Sequence, residues 1–252
     1  MILKLLNFDT EVTVLPDFVA VLEIHNKRLF SRMARSLQSG GGDTAQEPYL
    51  LLDLEGKTVK KSEYPLIVFD PFNLSQTDRA LAPKIIDKFS ITLVGDEELH
   101  TSFMGLEQRL QRELVLLSEE LQGSYDFEVK WDVKRYLKAF GFELKYNLEE
   151  SLLDNFISFL DYFCDSGLQV PLFLVNFKSF FDPKELESIY EHAFLLKISL
   201  LLIESSPAAT VGRNEKRYII TADFLEEKTF LLVDDYSSSG GNAHGGFRAV
   251  SF

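Results

Sequence analysis

A run of basic residues near the start of the chain is the feature best suited to a chemical task. Lys27, Arg28, Arg32 and Arg35 occur together, and residues 25–41 contain no acid. On a helix, the three arginines at i, i+4 and i+7 lie within about 60° of one another on one face. A solvated helix face usually mixes charges of both signs, whereas this face repels itself. The run therefore predicts an amphipathic helix whose cationic face meets an anionic partner.

Two further sets of basic residues have helical spacing and are weaker candidates for the same task. One set recurs every four residues within 130–138, but the neighbouring acids Glu128 and Asp132 offer it local ion pairs. The other is a single i, i+4 pair. The two sets are Lys130, Lys134, Arg135 and Lys138, and Lys84 with Lys88.

An acidic cluster follows a leucine-rich segment and is a candidate metal site. Carboxylate oxygens are ligands that Ca²⁺ prefers, although the segment has no EF-hand loop with alternating acids and glycine. Ordinary surface acids and helix caps are the alternative explanation. The candidate ligands are Glu119, Glu120, Asp126, Glu128 and Asp132.

The motifs of common enzymes are missing from the sequence. The stretch "EGKT" at Glu55–Thr58 ends like a phosphate-binding loop, but Leu51 stands where that loop requires glycine. We therefore predict a hairpin turn there. No GxGxxG, HExxH, GxSxG or CxxC occurs, and the four histidines have no paired spacing. We expect a protein that is not an enzyme.

Composition limits where an anion could bind and in which compartment the protein works. The 252 residues include 39 Asp and Glu against 26 Lys and Arg, giving a net charge of −13, so anion binding must be local. The one cysteine, Cys164, is expected to be a buried thiol in a reducing cytosol. No signal peptide and no run long enough to span a bilayer is evident. We expect a soluble, cytoplasmic protein.

The elements that must position these residues indicate an α/β protein with a helical insertion. Strands are predicted for "VTVLP", "VAVLEI", "YLLLDL", "GKTVKK" and "PLIVFD", with the cationic helix between the second and third. Three amphipathic helices follow, "GLEQRLQRELVLLSEELQG", "DVKRYLKAFG" and "NLEESLLDNFISFLDYFCDSG", whose apolar seams need each other or another subunit for cover. A strand, a helix and a strand then form a βαβ unit, "QVPLFLVNF", "FFDPKELESIYEHA" and "LKISLLLIES".

The predicted division of the chain follows from these elements. Residues 1–101 form the first part of an α/β head, 102–166 a helical leg subdomain, and 167–236 the second part of the head. The Gly- and Ser-rich tail 237–252 is expected to be disordered.

A long succession of segments resembles the adaptation protein of type II-A CRISPR systems, the Csn-two family, over residues 1–233. The resemblance lies in "MILKLLNF", "FVAVLEIHNKRLFSRMARSL", "YLLLDLEGKTVKKSEYPLIVFDPFNLSQ", "VKRYLKAFGFELKYNLEESLLDNFISFLDYF" and "PLFLVNFKSFFDPKELESIYEHAFLLKISLLLIES". The last block, with its strand, polar loop, capped helix and strand in order, carries most of it.

This resemblance implies a fold, an assembly and partners. It implies an α/β head like a degenerate P-loop NTPase without the phosphate loop, with an inserted helical leg subdomain. It implies a calcium-binding homotetrameric ring that threads the ends of linear double-stranded DNA through a basic hole without sequence readout. It also implies a non-catalytic role in acquiring new spacers, together with the CRISPR integrase and the RNA-guided nuclease.

Two other functions stay open from the residues alone. A degenerate NTPase-like regulatory subunit would bind only protein partners, using its helical seams and an acidic partner for the arginines. A nuclease would use Asp126, Glu128 and Asp132 with magnesium.

Overall fold

The computed structural model describes most of the chain, with gaps in the helical insertion, before the eighth strand and near the C-terminus. The described residues are 1–126, 132–147, 149–206, 212, 214–231 and 249–251. The predicted site residues Glu128 and Lys130 lie outside these ranges, as does most of the tail.

Ten strands and six α-helices occur in this described part of the chain. The strands are β1 Ile2–Leu5, β2 Glu11–Thr13, β3 Val19–Ile24, β4 Tyr49–Leu52, β5 Leu66–Val68, β6 Leu172–Val175, β7 Leu200–Glu204, β8 Glu215–Ile220, β9 Glu226–Leu231 and β10 Ala249–Ser251. The helices are α1 Lys27–Ser39, α2 Asp78–Gly95, α3 Glu97–Ser118, α4 Val133–Ala139, α5 Leu152–Asp165 and α6 Pro183–Leu195.

The larger sheet has seven strands in the order β10-β9-β8-β3-β7-β6-β5. The five strands from β8 to β5 are parallel, and β9 and β10 extend the sheet as antiparallel strands. All six residues of β3 are buried, as expected for a central parallel strand covered on both faces. The fold is therefore mixed α/β, as the sequence predicts.

Two apolar layers cover the larger sheet. On one face lie α1 and a three-stranded antiparallel sheet of order β2-β1-β4, and both pack on alternate side chains of β3. On the other face lie α5 and α6, whose apolar sides join the remaining side chains of β3, β6 and β7 in a second cluster. This layering leaves one side of α1 buried and the other at the surface.

The predicted βαβ unit is confirmed as β6, α6 and β7, with β6 and β7 parallel. Asp182 caps α6 by accepting the N–H groups of Lys184 and Glu185 at 2.8 and 2.9 Å. Glu185 returns the contact by accepting the N–H of Asp182 at 2.8 Å, and Pro183 is the first helical residue. These local signals fix where the helix begins.

The seam of α5 is covered differently from the sequence prediction. Phe156, Phe159, Leu160 and Phe163 are buried in the core of the α/β head, so the prediction that all three helical seams pack on each other or on another subunit is wrong for α5. These side chains share one apolar cluster with residues of β3, β6 and β7. The predicted helical leg, residues 102–166, thus combines α5, which is buried in the head core, with α3 and α4, which have no buried residues.

Three smaller expectations also differ from the structure. The segment "GKTVKK" forms no strand, and only an isolated bridge joins Leu52 to Thr58, because the chain turns at Gly56 with φ 83°. Helix α2 was not predicted, since Pro83 lies inside it and its apolar pattern is weak. Cys164 is exposed, because it lies on the outer side of α5.

The tail is the last point of difference. Residues Ala249–Ser251 form β10 beside β9, so the expectation of disorder is wrong for these three residues. The other residues of 237–252 lie outside the described part. No described helix is both long enough and apolar enough to cross a bilayer.

Candidate nucleic-acid interface

Helix α1 is fixed at both ends by local hydrogen bonds. The Asn26 side chain accepts the N–H groups of Arg28 and Leu29, each at 3.1 Å, and so caps the N-terminus. Gly40 ends the helix in the left-handed region at φ 63° and donates its N–H to the carbonyl of Leu37. The two ends of α1 are therefore set within the segment itself.

The inner face of α1 is apolar and the outer face is basic. Leu29, Met33 and Leu37, at intervals of four residues, are buried against the larger sheet. This burial turns the opposite side of the helix to solvent. Lys27, Arg28 and Arg35 are exposed there, as the sequence predicts.

Arg32 differs from the other three cations. Its Nε donates to the Oε2 of Glu47 at 3.0 Å, and 39% of the Arg32 side chain is exposed. Glu47 is buried; it also accepts from Asn7 at 3.0 Å, and its N–H donates to Ser36 at 2.9 Å. The predicted face without acidic partners is thus wrong at Arg32, because a distant loop supplies the acid.

The remaining exposed cations form what we call the α1 cation face, Lys27, Arg28 and Arg35. No ion pair of these three residues occurs within the described ranges, in contrast to Arg32. Residues 25–41 carry no acid that could neutralise them locally. This face is a site where phosphate groups could replace water around three exposed cations.

The weaker basic set on α4 is largely paired. Lys134 contacts Asp87 of α2 at 2.6 Å, and this hydrogen bond raises the pKa of Lys134 and lowers the pKa of Asp87. Arg135 contacts Asp132 at 3.3 Å, whereas Lys138 is exposed. The set therefore offers fewer available cations than its spacing suggests.

Of the two predicted lysines on α2, one forms an ion pair and the other is exposed. Lys88 contacts Asp165 of α5 at 2.9 Å, and Lys84 is exposed. The ion pairs of Asp87 and Lys88 join α2 to α4 and α5. Both ion pairs are exposed to solvent, so each contributes little to stability.

The described members of the predicted calcium set, Glu119, Glu120, Asp126 and Asp132, are not brought together. Asp132 caps α4 by accepting the N–H groups of Lys134 and Arg135 at 3.0 and 3.3 Å. Glu119, Glu120 and Asp126 are exposed. Among the residues that the structure describes, no group of three or more His, Cys, Asp or Glu residues could hold a metal ion. The described carboxylates therefore do not fit a calcium site.

A buried polar network, not predicted from the sequence, lies on the face of the larger sheet that α6 covers. Glu204, at the end of β7, accepts the N–H groups of Phe177 and Lys178 at 2.9 and 3.0 Å. Burial raises the pKa of Glu204 to about 7 despite these contacts. One signal for this network is visible in the sequence, because each of the buried apolar runs "VAVLE" and "LLLIE" ends in a glutamate.

Glu215, at the start of β8, is the centre of this network. Its carboxylate contacts Lys178 Nζ at 2.6 Å, the Tyr190 hydroxyl at 2.9 Å and Arg217 Nε at 3.3 Å. Burial alone would raise the pKa of Glu215, but the Lys178 ammonium and the Tyr190 hydroxyl outweigh burial and lower it. Arg217 also pairs with Glu23 at 3.3 Å. These ion pairs connect β3 and β8 with each other and with the segment after β6 that carries Lys178.

Comparison with known proteins gives the family of the chain. The family model for CRISPR-associated protein (Cas_Csn2) matches residues 43–224. This chain belongs to the Csn2 family. No curated protein matches it. Membership supports a role in type II-A CRISPR adaptation, and the match extends from the loop after α1 to the turn after β8.

A solved structure shows that the fold is shared with a distant protein. Stu0660 of Streptococcus thermophilus aligns with 88% of this Csn2 family chain and 75% of its own, at 14% identity and a TM-score of 0.56. At this identity, the likeness concerns the fold alone. The relationship to P-loop NTPases stays a prediction.

Proposed function

We propose that this Csn2 family protein binds double-stranded DNA without sequence preference, as a non-catalytic homotetrameric ring that receives linear ends during spacer acquisition. The α1 cation face is the observation that carries the proposal. Its three cations are exposed and unpaired within the described ranges, in a chain whose net charge is −13. A local basic face in an acidic protein restricts phosphate binding to one surface.

The number of cations fits a ring around a duplex. Four copies of Lys27, Arg28 and Arg35 would supply about a dozen phosphate contacts. Arg28 and Arg35 are separated by roughly 10 Å along the helix axis, so one copy can follow a few phosphates. Such contacts fix position and carry no sequence information.

We propose no reaction for the chain and no metal-dependent step. Asp132 is used as a helix cap, and the acids of the buried network are held by ion pairs and backbone N–H groups. These observations favour DNA binding over the nuclease hypothesis. Calcium, the integrase and the RNA-guided nuclease remain ligands and partners implied by the resemblance, and we assign them no surface.

The test compares linear and covalently closed circular DNA of equal length. The variant Arg28→Ala/Arg35→Ala removes two cations of the α1 cation face, and Lys61→Ala/Lys184→Ala removes two exposed cations elsewhere. We expect the native protein and the control to prefer linear DNA in a binding titration at moderate salt. The α1 variant should bind at least tenfold more weakly.

Each other outcome has a definite meaning. Equal weakening in both variants would show a general charge effect and would contradict the role of α1. Equal binding of linear and circular DNA by the native protein would contradict loading from ends. The absence of binding to either form would favour the regulatory subunit that binds only proteins.

A further inference from the structure

Arg32 donates only one hydrogen bond within the described part of the chain. Its Nε donates to Oε2 of Glu47 at 3.0 Å, whereas Nη1 and Nη2 make no hydrogen bond there. A guanidinium has five N–H donors, so four stay available. In the same ranges, the buried side-chain polar atoms without a partner belong to Glu23 and Asn155 alone, so Nη1 and Nη2 of Arg32 reach solvent.

Glu47 is a fixed acceptor for this guanidinium. Its side chain is buried, and its Oε1 accepts from the Asn7 amide at 3.0 Å. Its backbone N–H donates at 2.9 Å to the hydroxyl of Ser36, a buried residue about one turn after Arg32 on α1. Contacts with α1 and with the loop after β1 therefore fix the carboxylate relative to the helix.

A fixed acceptor at Nε restricts the whole end group of Arg32. The guanidinium is planar and rigid, so an acceptor held against Nε also limits the directions that Nη1 and Nη2 can take. These two nitrogens form the end of a fork that binds phosphate through two parallel hydrogen bonds. The Glu47 contact thus orients Arg32 and leaves this end of the fork at the surface.

Arg32 lies between two members of the α1 cation face. Along the helix axis it is about 6 Å from Arg28 and about 4.5 Å from Arg35. Around the axis it is rotated by about 40° from Arg28, toward the side of Ser36. A row of phosphates that follows Arg28 and Arg35 therefore passes Arg32.

A purely structural ion pair is the alternative explanation for Arg32. A buried carboxylate needs a cation, and Arg32 supplies it to Glu47. That task requires one positive charge, which a lysine ammonium would also provide. It does not require a planar group whose terminal nitrogens reach solvent between Arg28 and Arg35. The position of the guanidinium therefore favours a second task, phosphate binding.

We propose that Glu47 is a positioning residue for DNA binding, which orients Arg32 so that Nη1 and Nη2 bind a backbone phosphate. This inference deepens the function proposed above, on which it rests, by adding a fourth phosphate-binding residue to α1. The charge of Glu47 offsets that of Arg32, so the pair binds phosphate through directed hydrogen bonds and releases few counterions. Arg32 therefore contributes to affinity but little to its salt dependence.

The first variant removes the fork and keeps the charge. In Arg32→Lys the ammonium can still pair with Glu47, but it cannot place two parallel N–H groups on a phosphate. We expect binding of a linear duplex to weaken about fivefold or more at every salt concentration, with the slope of log K against log salt unchanged. Arg79→Lys makes the same exchange at an exposed position of α2 and should bind like the native protein.

The second variant keeps the acceptor and removes its charge. In Glu47→Gln the amide oxygen can accept from Arg32, while Asn7 can turn its own amide to accept from the new NH2 group. The charge of Arg32 is then no longer offset, so the salt slope should become steeper by up to about 0.9 for each copy whose Arg32 contacts a phosphate. Glu187→Gln makes the same charge change at an exposed position of α6, across the larger sheet, and should leave the slope unchanged.

Titrations of the linear duplex at several salt concentrations give the affinity and the slope for the native protein and each variant. Urea denaturation shows whether each variant is folded under the binding conditions. If Glu47→Gln does not fold, Arg32→Lys decides the proposal, because its lysine retains the ion pair.

Two results would overturn the proposal. One is a loss of affinity in Arg32→Lys that is smaller than about fivefold or is accompanied by a change of slope. The other is a slope for folded Glu47→Gln equal to that of Glu187→Gln. Either result, together with weaker binding by Arg28→Ala/Arg35→Ala, would overturn only the positioning role and leave DNA binding by α1 in place. Absence of DNA binding by the native protein would overturn the proposed function and this inference with it.

Discussion

Arg32 and Arg35 show how neighbouring cations on one helix acquire different tasks. Arg32 neutralises the buried carboxylate of Glu47, whereas Arg35 is exposed. The acid that pairs with Arg32 is 15 residues further along the chain, beyond the Gly-rich connection. Local spacing could therefore place both arginines on one face but could not identify the one with a structural role.

The first prediction at this scale concerns Arg32→Ala. Removing the guanidinium leaves the buried Glu47 carboxylate without its cation, so we expect the free energy of unfolding to fall by about 1–3 kcal/mol. Arg35→Ala, which removes an exposed cation, should change it by less than about 0.5 kcal/mol. Urea denaturation measures both, and equal losses would contradict the distinction.

The second prediction concerns the pH dependence of stability at Glu204. Its pKa is about 7 in the folded protein against an ordinary value of 4.5, so the folded state binds the proton more tightly. The stabilisation from this carboxyl is fully present below pH 4.5 and is lost as pH rises through 7. Between these two pKa values, the unfolding free energy of the native protein should therefore fall by roughly 3 kcal/mol relative to that of Glu204→Gln.

The measurement is chemical denaturation of both proteins between about pH 4.5 and 8, which spans the two pKa values. The difference between their unfolding free energies should change steadily across that range. Glu227→Gln, at an exposed site, should follow the native curve. Parallel curves for the native protein and Glu204→Gln would show that the folded carboxyl titrates normally.

At the scale of elements, local sequence patterns predicted which helices and strands form, but not always which parts of the protein pack on their apolar faces. The Asn26 cap, the capping box at Asp182 and the continuous apolar run of β3 each act within a few residues, and the corresponding elements were predicted. The apolar seam of α5 was also predicted, but its cover comes from β3, β6 and β7, outside the predicted helical insertion. The buried network joins residues from separate strands, a helix and a loop, which spacing cannot reveal.

The contrast between α5 and α3 gives the third prediction. Phe159 is fully buried in the head core, so Phe159→Ala should cost about 3–5 kcal/mol of unfolding free energy. Leu110 of α3 is 41% exposed, so Leu110→Ala should cost less than about 1 kcal/mol in dilute, dissociated protein. Thermal and urea unfolding at low concentration compare the two, and a large loss at Leu110 would place α3 inside the core of one copy.

At the scale of the whole molecule, the proposed ring makes a quantitative prediction about salt. Each phosphate that a cation neutralises contributes about −0.9 to the slope of log K against log salt concentration. The Arg28→Ala/Arg35→Ala variant should therefore have a shallower slope, by about 0.9 for each phosphate that its four copies no longer neutralise. Titrations at several salt concentrations give the slope, and an unchanged slope with weaker binding would exclude phosphate binding by α1.

The central position of β3 has a consequence for how the protein is made. This strand lies between β7 and β8, and Ala20 pairs with Leu201, roughly 180 residues downstream. At about 5–20 residues per second, a ribosome needs on the order of ten seconds or more to synthesise that interval. For that time, an almost entirely apolar strand has neither neighbour in the sheet. The head therefore completes its sheet only late in translation, and a chain stopped before Leu200 exposes β3 to chaperones and to aggregation.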